Sequence, residues 1–240
     1  KMSKNTTFIK AKRSFVLTLL FAYFGTGSLV YNFVLFPLIK LFKKENKLEI
    51  YSDIIQKSWK SFLNTLVKTK TISLTLHDEE KIKNIKNSII VSTHPSYIDV
   101  LIVLSLIPKT TCFVAPKLAR NFFFKNIIKS MFLVSGTPVE ELTKSAIEKL
   151  EDGFNVLIFP MGTRHKKNEH LKIKKGASLV AIKSKRNIEM LDITTDTDFL
   201  QIHQRFNDAG EKTVKYNVSY LGVLKIENYL INQTYVKFFV

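Results

Sequence analysis

Cysteine is nearly missing from this sequence. Cys112 stands alone among 240 residues. No disulfide can close within the chain, which fits a reducing compartment. Its surroundings, TTCFVA, are apolar, so a small buried hydrophobe is expected there. Glycine and proline are scarce, at 8 and 6, and neither a low-complexity linker nor an internal repeat interrupts the chain. Acidic residues are outnumbered by basic ones, 20 to 37, for a net charge of +17. That imbalance implies an anionic partner: a membrane surface, a phosphorylated substrate, an acidic carrier protein or nucleic acid. Nucleic acid has charge alone in its favour, because no zinc-ligand spacing and no nucleic-acid-binding motif occurs. His165 and His170 are the nearest approach to a metal pair. The lysines around them repel a cation, so no metal site is expected.

Charge is also missing locally. Residues 15 to 39, FVLTLLFAYFGTGSLVYNFVLFPLI, hold no charged side chain. A helix needs roughly 20 apolar residues to cross a bilayer core, so this run is long enough. A cleaved signal peptide is a poor reading, because the run is long and KLFKK follows it instead of a small-residue cleavage site. Gly25, Thr26, Gly27 and Ser28 interrupt its middle, and each half would span about 15 to 21 Å, half a bilayer core. Lys4, Lys10, Lys12 and Arg13 precede the run; Lys40, Lys43, Lys44 and Lys47 follow it. Positive residues favour the cytoplasmic side. A hairpin dipping into one leaflet keeps both clusters there, whereas a single crossing puts one on the wrong side. The expectation is a membrane-embedded helical hairpin within residues 1–45, broken near Gly25–Ser28. It would sit on the cytoplasmic face of a membrane, of the bacterial inner-membrane type. A single span and a buried soluble helix are the alternatives.

What is abundant is core-forming material: 45% of residues are hydrophobic, enough for one large domain over residues 46–240. Residues 48 to 68 place Ile54, Ile55, Trp59, Phe62, Leu63 and Leu66 at helical spacing, an amphipathic helix. TISLTLHD (71–78) alternates and reads as a half-buried strand, with His77 a solvated residue at its end. NSIIVST (87–93), TTCFVAP (110–116), FNVLIFP (154–160) and IEMLDIT (188–194) are apolar on both faces. Helical patterns lie between them at 95–106, 141–153 and 172–184. Strands apolar on both faces, alternating with helices, predict an α/β fold: a mostly parallel or mixed sheet covered by helices on both sides. NVSYLGV (217–223) and TYVKFFV (234–240) read as further strands.

Two short stretches carry chemistry. In THPSYID, His94 follows a buried strand, and Pro95 suits the first position of a helix. Asp99 falls about one turn inside. A carboxylate there can fold back to an imidazole nitrogen, fix its tautomer and raise the basicity of the other nitrogen. Such a histidine takes a proton from an attacking hydroxyl. On spacing alone the bland reading stands beside this one: a histidine near a helix start, and an acid favoured there by the macrodipole. In FPMGTR, a strand ends at Pro160, and Gly162, Thr163 and Arg164 follow. A tight turn here aims backbone N–H groups, a hydroxyl and a guanidinium at one spot, and an arginine fork suits a phosphate. A turn with a surface arginine is the alternative. Lys166, Lys167, Lys172, Lys174 and Lys175 extend a basic rim.

THPSYID, FPMGTR some 60 to 70 residues later, the segment IKKGAS, and APKLA and SGTPVEE between them form an ordered set. By that set, over roughly residues 70 to 195, the sequence resembles the lysophospholipid acyltransferases, which include the 1-acyl-glycerol-3-phosphate acyltransferases. The resemblance implies a membrane-bound acyltransferase with its acyltransferase domain over 46–240. It implies transfer of a fatty acyl group from an acyl-carrier-protein or CoA thioester to the hydroxyl of a lysophospholipid-like acceptor. His94 would be the general base and Asp99 its orienting acid. Gly162, Thr163, Arg164 and Lys117 would bind the acceptor. Membrane lipids are the expected partners, and no cofactor is expected beyond the thioester co-substrate. The sequence departs from the family pattern at Thr93 for asparagine and at Met161 for glutamate. Val139 and Glu140 stand where many members carry an arginine, and IEMLDIT lacks a usual proline. A catalytically weak or inactive protein on the same scaffold, binding acyl-carrier protein or anionic lipid, is the alternative.

Overall fold

A computed structural model describes residues 4–42, 47–122, 125–162, 173–201, 204–205 and 207–227. A helical rod opens the chain. It consists of α1 (Lys4–Val30), a π-helical turn (Tyr31–Leu35) and α2 (Phe36–Phe42). Then come α3 (Lys47–Lys68), β1 (Ile72–His77), α4 (Glu79–Lys83), β2 (Ile89–Ser92), α5 (Ile98–Leu106), β3 (Thr110–Val114), α6 (Pro116–Ala119), α7 (Lys125–Met131), β4 (Leu133–Val134), α8 (Val139–Glu151), β5 (Asn155–Ile158), α9 (Gly176–Ser184), β6 (Ile188–Thr195) and β7 (Val214–Leu224).

The strands form one mixed sheet in the order β1-β7-β6-β2-β5-β3-β4. From β6 to β4 every pairing is parallel. β7 runs antiparallel to β6, and β1 runs parallel to β7. Residues along each central strand alternate between two cores. Ile90, Leu157, Leu191 and Ile193 join the core shared with α3, α5 and α7. Ile89, Val91, Val156 and Ile188 join the core shared with α8 and α9. Period-2 side chains buried on both faces are why these strands read as unbroken apolar runs. Cys112 is 1% exposed, as its apolar surroundings predict. The α/β architecture with helices on both faces is therefore the observed one.

The hairpin expected within residues 1–45 is not the observed arrangement: one helical rod occupies Lys4–Phe42. The helix runs straight through Gly25–Ser28. The hydroxyls of Thr26 and Ser28 donate to the carbonyls of Ala22 and Phe24, one turn back, at 2.6 and 2.9 Å, so these polar residues are satisfied inside the helix. Phe21 and Phe24 pack on Phe62, Phe24 meets Trp59, and Phe36 stacks on Tyr51. Ascending numbers on the rod meet descending numbers on α3, so the two are antiparallel. Residues 43–46, between the rod and α3, lie outside the described residues. The backbone irregularity falls at Tyr31–Leu35 instead. Pro37 follows closely and has no N–H to give, so the hydrogen-bond ladder adjusts ahead of it.

The rod is fastened at two points. The Arg13 guanidinium donates to the carbonyls of Lys70, Thr71 and Lys212. Asn32, fully buried in the π-helical turn, donates its amide to the Phe122 carbonyl and accepts from the Asn126 N–H. The Asn126 side chain in turn donates to the Asn32 carbonyl. Phe15, Leu19, Tyr23, Val30, Val34 and Leu38 stay exposed along the rod. One described helix, Thr6–Phe42, is long and apolar enough to cross a membrane.

Candidate active site

The carboxyl ends of β2, β5, β6, β3 and β4 share one edge of the sheet, where α/β sheets place their ligands. β2 delivers His94 to that edge. The helix expected from Pro95 starts only at Ile98. Residues 95–97 form a turn held by side chains instead. The Ser96 hydroxyl accepts the Ile98 N–H at 3.1 Å, and Asp99 Oδ2 accepts the Ser96 N–H at 2.6 Å. This turn swings Asp99 back beneath His94. His94 Nδ1 lies 3.0 Å from Asp99 Oδ2.

Asp99 has 0% exposure. An isolated buried carboxylate is costly, and here three donors surround it: His94 Nδ1–H, Ser96 N–H and the Ser96 hydroxyl at 2.7 Å. Because the carboxylate accepts, Nδ1 must carry the imidazole proton, which leaves the Nε2 lone pair free for chemistry. The His94 ring stacks on Phe159, with centroids 4.0 Å apart and planes 17° apart. The ring is therefore fixed by a hydrogen bond at one edge and by an aromatic face.

Thr93 ties this segment to the next strand. Its hydroxyl accepts the Ile193 N–H at 2.7 Å and lies 3.0 Å from Asp192 Oδ1 and 2.9 Å from the Ile193 carbonyl. Below Asp99, the hydroxyl of fully buried Tyr216 on β7 is 2.7 Å from Ser96 Oγ. Burial first, then the Asp99 charge, pushes this phenol well above its ordinary 10.0, against a smaller opposing effect of the Ser96 bond. It stays protonated, so its O–H is available to donate to Ser96 Oγ.

β5 ends beside His94. Gly162 adopts φ +70, and its N–H donates to the Phe159 carbonyl at 2.9 Å. A Cβ there would meet Lys174 Nζ at 2.5 Å. The left-handed backbone favours glycine here, and any Cβ would also displace the end of the Lys174 side chain. The Lys174 N–H closes the excursion by donating to the Pro160 carbonyl at 2.8 Å. Thr163, Arg164, His165 and His170 lie outside the described residues, as does the strand expected at 234–240. Lys117 is exposed on α6, and among the described residues no hydrogen bond or ion pair joins it to the His94 cluster. Beyond α6, an open groove of about 590 Å³ is lined by Pro116, Arg120, Lys125, Lys129 and Gly136 among others. Among the described residues no group of His, Cys, Asp and Glu is placed to hold a metal.

Of the residues expected from sequence, the structure brings His94 and Asp99 together and sets Gly162 just beyond β5. Sequence reading missed Ser96, which donates to Asp99, Tyr216, which bonds Ser96 in turn, and Phe159, which stacks on the imidazole; Lys174 entered only as rim charge. Ser96 and Phe159 lie inside the two quoted motifs, so their positions were visible. Tyr216 lies 117 positions beyond Asp99, and no local pattern marks it.

A family model described as Acyltransferase matches residues 73–194. Among solved structures, the chain is similar to the 1-acyl-sn-glycerophosphate (LPA) acyltransferase PlsC from Thermotoga maritima. The TM-score is 0.67 at 20% identity, covering 93% of this chain and 94% of that one. No curated protein matches.

Proposed function

The chain belongs to the acyltransferase family, and on that premise we propose that it acylates a lysophospholipid-like acceptor at a membrane surface. The donor is the thioester of acyl-carrier protein or CoA. His94 Nε2 takes the proton of the acceptor hydroxyl as its oxygen attacks the thioester carbonyl. The carbon–sulfur bond of the tetrahedral intermediate then breaks, and the imidazolium returns the proton to the departing thiolate. Asp99 holds the tautomer and stabilises the imidazolium; Phe159 keeps the ring plane fixed. The single observation that carries this reading is the 3.0 Å contact between His94 Nδ1 and a fully buried Asp99.

Gly162, Thr163 and Arg164 are the proposed binding residues for the acceptor's anionic head, with Lys117 as a further cation. The approach of Lys174 to Gly162 supports a basic loop end at this position. The exposed apolar stripe of the rod supports embedding in one leaflet, with the lysine clusters at its two ends on the cytoplasmic face. A net charge of +17 suits an acidic carrier protein or anionic lipid.

Membranes containing the protein, given labelled acyl-carrier protein or acyl-CoA and a panel of lysolipids, should acylate at least one acceptor. Transfer to none from either donor would support the binding-only reading.

A further inference from the structure

Asp99 does not end the hydrogen-bond chain. With Asp99 ionised, the Ser96 hydroxyl at 2.7 Å must donate to Oδ1, because a carboxylate has no proton to give. The two Ser96 Oγ lone pairs then accept the Ile98 N–H and the Tyr216 O–H. Every proton in the series then points toward Asp99, in the order Tyr216 to Ser96 to Asp99, with His94 donating from the other side.

The link is long-range in sequence. Tyr216 sits in β7, paired with Leu74 of β1 and Thr195 of β6, and has 0% exposure. The sheet therefore fixes the phenol from both neighbouring strands, and no solvent competes for its proton.

We propose that Tyr216 is a positioning residue: through Ser96 it orders the donor set around Asp99 and so locks His94 in the Nδ1-protonated tautomer. The proposal rests on the acyl-transfer reading for its kinetic consequence, but not for its structural one. Two hydroxyls in series polarise each other, which strengthens the terminal bond to the carboxylate.

Tyr216→Phe keeps the ring and removes the donor. In acyl transfer it should lower kcat about ten-fold and leave KM within about two-fold. Ser96→Ala cuts the same chain nearer the acid, so Tyr216→Phe placed on a Ser96→Ala background should cause no further loss. The second readout is nitrogen-15 NMR of the histidine-labelled protein, with His94 assigned by loss of its signal in His94→Gln. The parent should show the single Nδ1-protonated neutral tautomer, and Tyr216→Phe a tautomer mixture. An unchanged tautomer in Tyr216→Phe would overturn the proposal. So would a kcat loss from Tyr216→Phe that is equally large in the parent and in the Ser96→Ala variant. If the parent transfers no acyl group, the functional reading fails on its own, while the NMR comparison still decides the role of Tyr216.

Discussion

Asp99 is surrounded by donors and no opposing acceptor, and that asymmetry governs the residue scale. Asp99→Asn keeps the shape but presents an NH2 group where His94 Nδ1–H now donates. The imidazole would flip its tautomer and lose the lone pair at Nε2. Removing the corresponding acid in a Ser-His-Asp triad costs about 10⁴ in kcat. A loss of at least about 10³ in acyl transfer is expected here, with the circular dichroism spectrum retained. Cys112 gives a second residue-level prediction. Burial pushes its thiol up to about 12 from an ordinary 9.0, and Tyr216 moves the same way. The unfolded chain therefore releases these protons first as pH rises. Stability from these groups is intact below pH about 9 and is lost progressively above it. Cys112→Ala should be less stable at pH 7, from the cavity it leaves, yet should lose less stability than the parent between pH 9 and 11 in urea titrations. Native Cys112 should resist iodoacetamide at pH 8 and react once the protein is unfolded.

At the scale of elements, the rod reverses what local propensity suggests. Two glycines close together read as a break, because each weakens a helix by about 1 kcal/mol. Aromatic packing on α3 outweighs that penalty, and nothing lies within 4 Å of a Cβ added at Gly25 or Gly27. Gly25→Ala and Gly27→Ala should therefore each raise the melting temperature; a fall would favour a reversal at these residues. The central strands were legible because both their faces are buried, which leaves a run of Ile, Val and Leu with few competing readings. The short α6, α7 and β4 were not legible. β4 has two residues, too few for any period, and α7 owes its burial to the rod and α3. The same limit hid the start of α5. Pro95 is a fair helix-start signal, but Ser96 and Asp99 spend their hydrogen bonds on an extra turn, and that turn is what makes the His94–Asp99 contact.

The whole molecule joins the sheet that carries His94 to an apolar rod through α3. Arg13 and Asn32 pin that rod at points 19 residues apart, about 28 Å along a helix. Its apolar stripe therefore cannot turn away without breaking these hydrogen bonds. Under the proposed function the stripe and the positive charge act together on a lipid surface. Flotation with vesicles containing an anionic phospholipid should exceed flotation with neutral vesicles, and the difference should shrink as salt shortens the Debye length to roughly 3 Å near 1 M. Replacing exposed Phe15, Leu19 and Tyr23 by serine should reduce flotation in both, with little change in melting temperature.

The central claim is that His94 removes the acceptor's proton. The direct measurement is the rate of acyl transfer by His94→Ala against the parent, at saturating labelled thioester and lysolipid, in membranes carrying equal amounts of folded protein. General-base catalysis contributes roughly 10² to 10⁴ in rate, so the account predicts a loss of at least about 10². Transfer by His94→Ala within about ten-fold of the parent would contradict it.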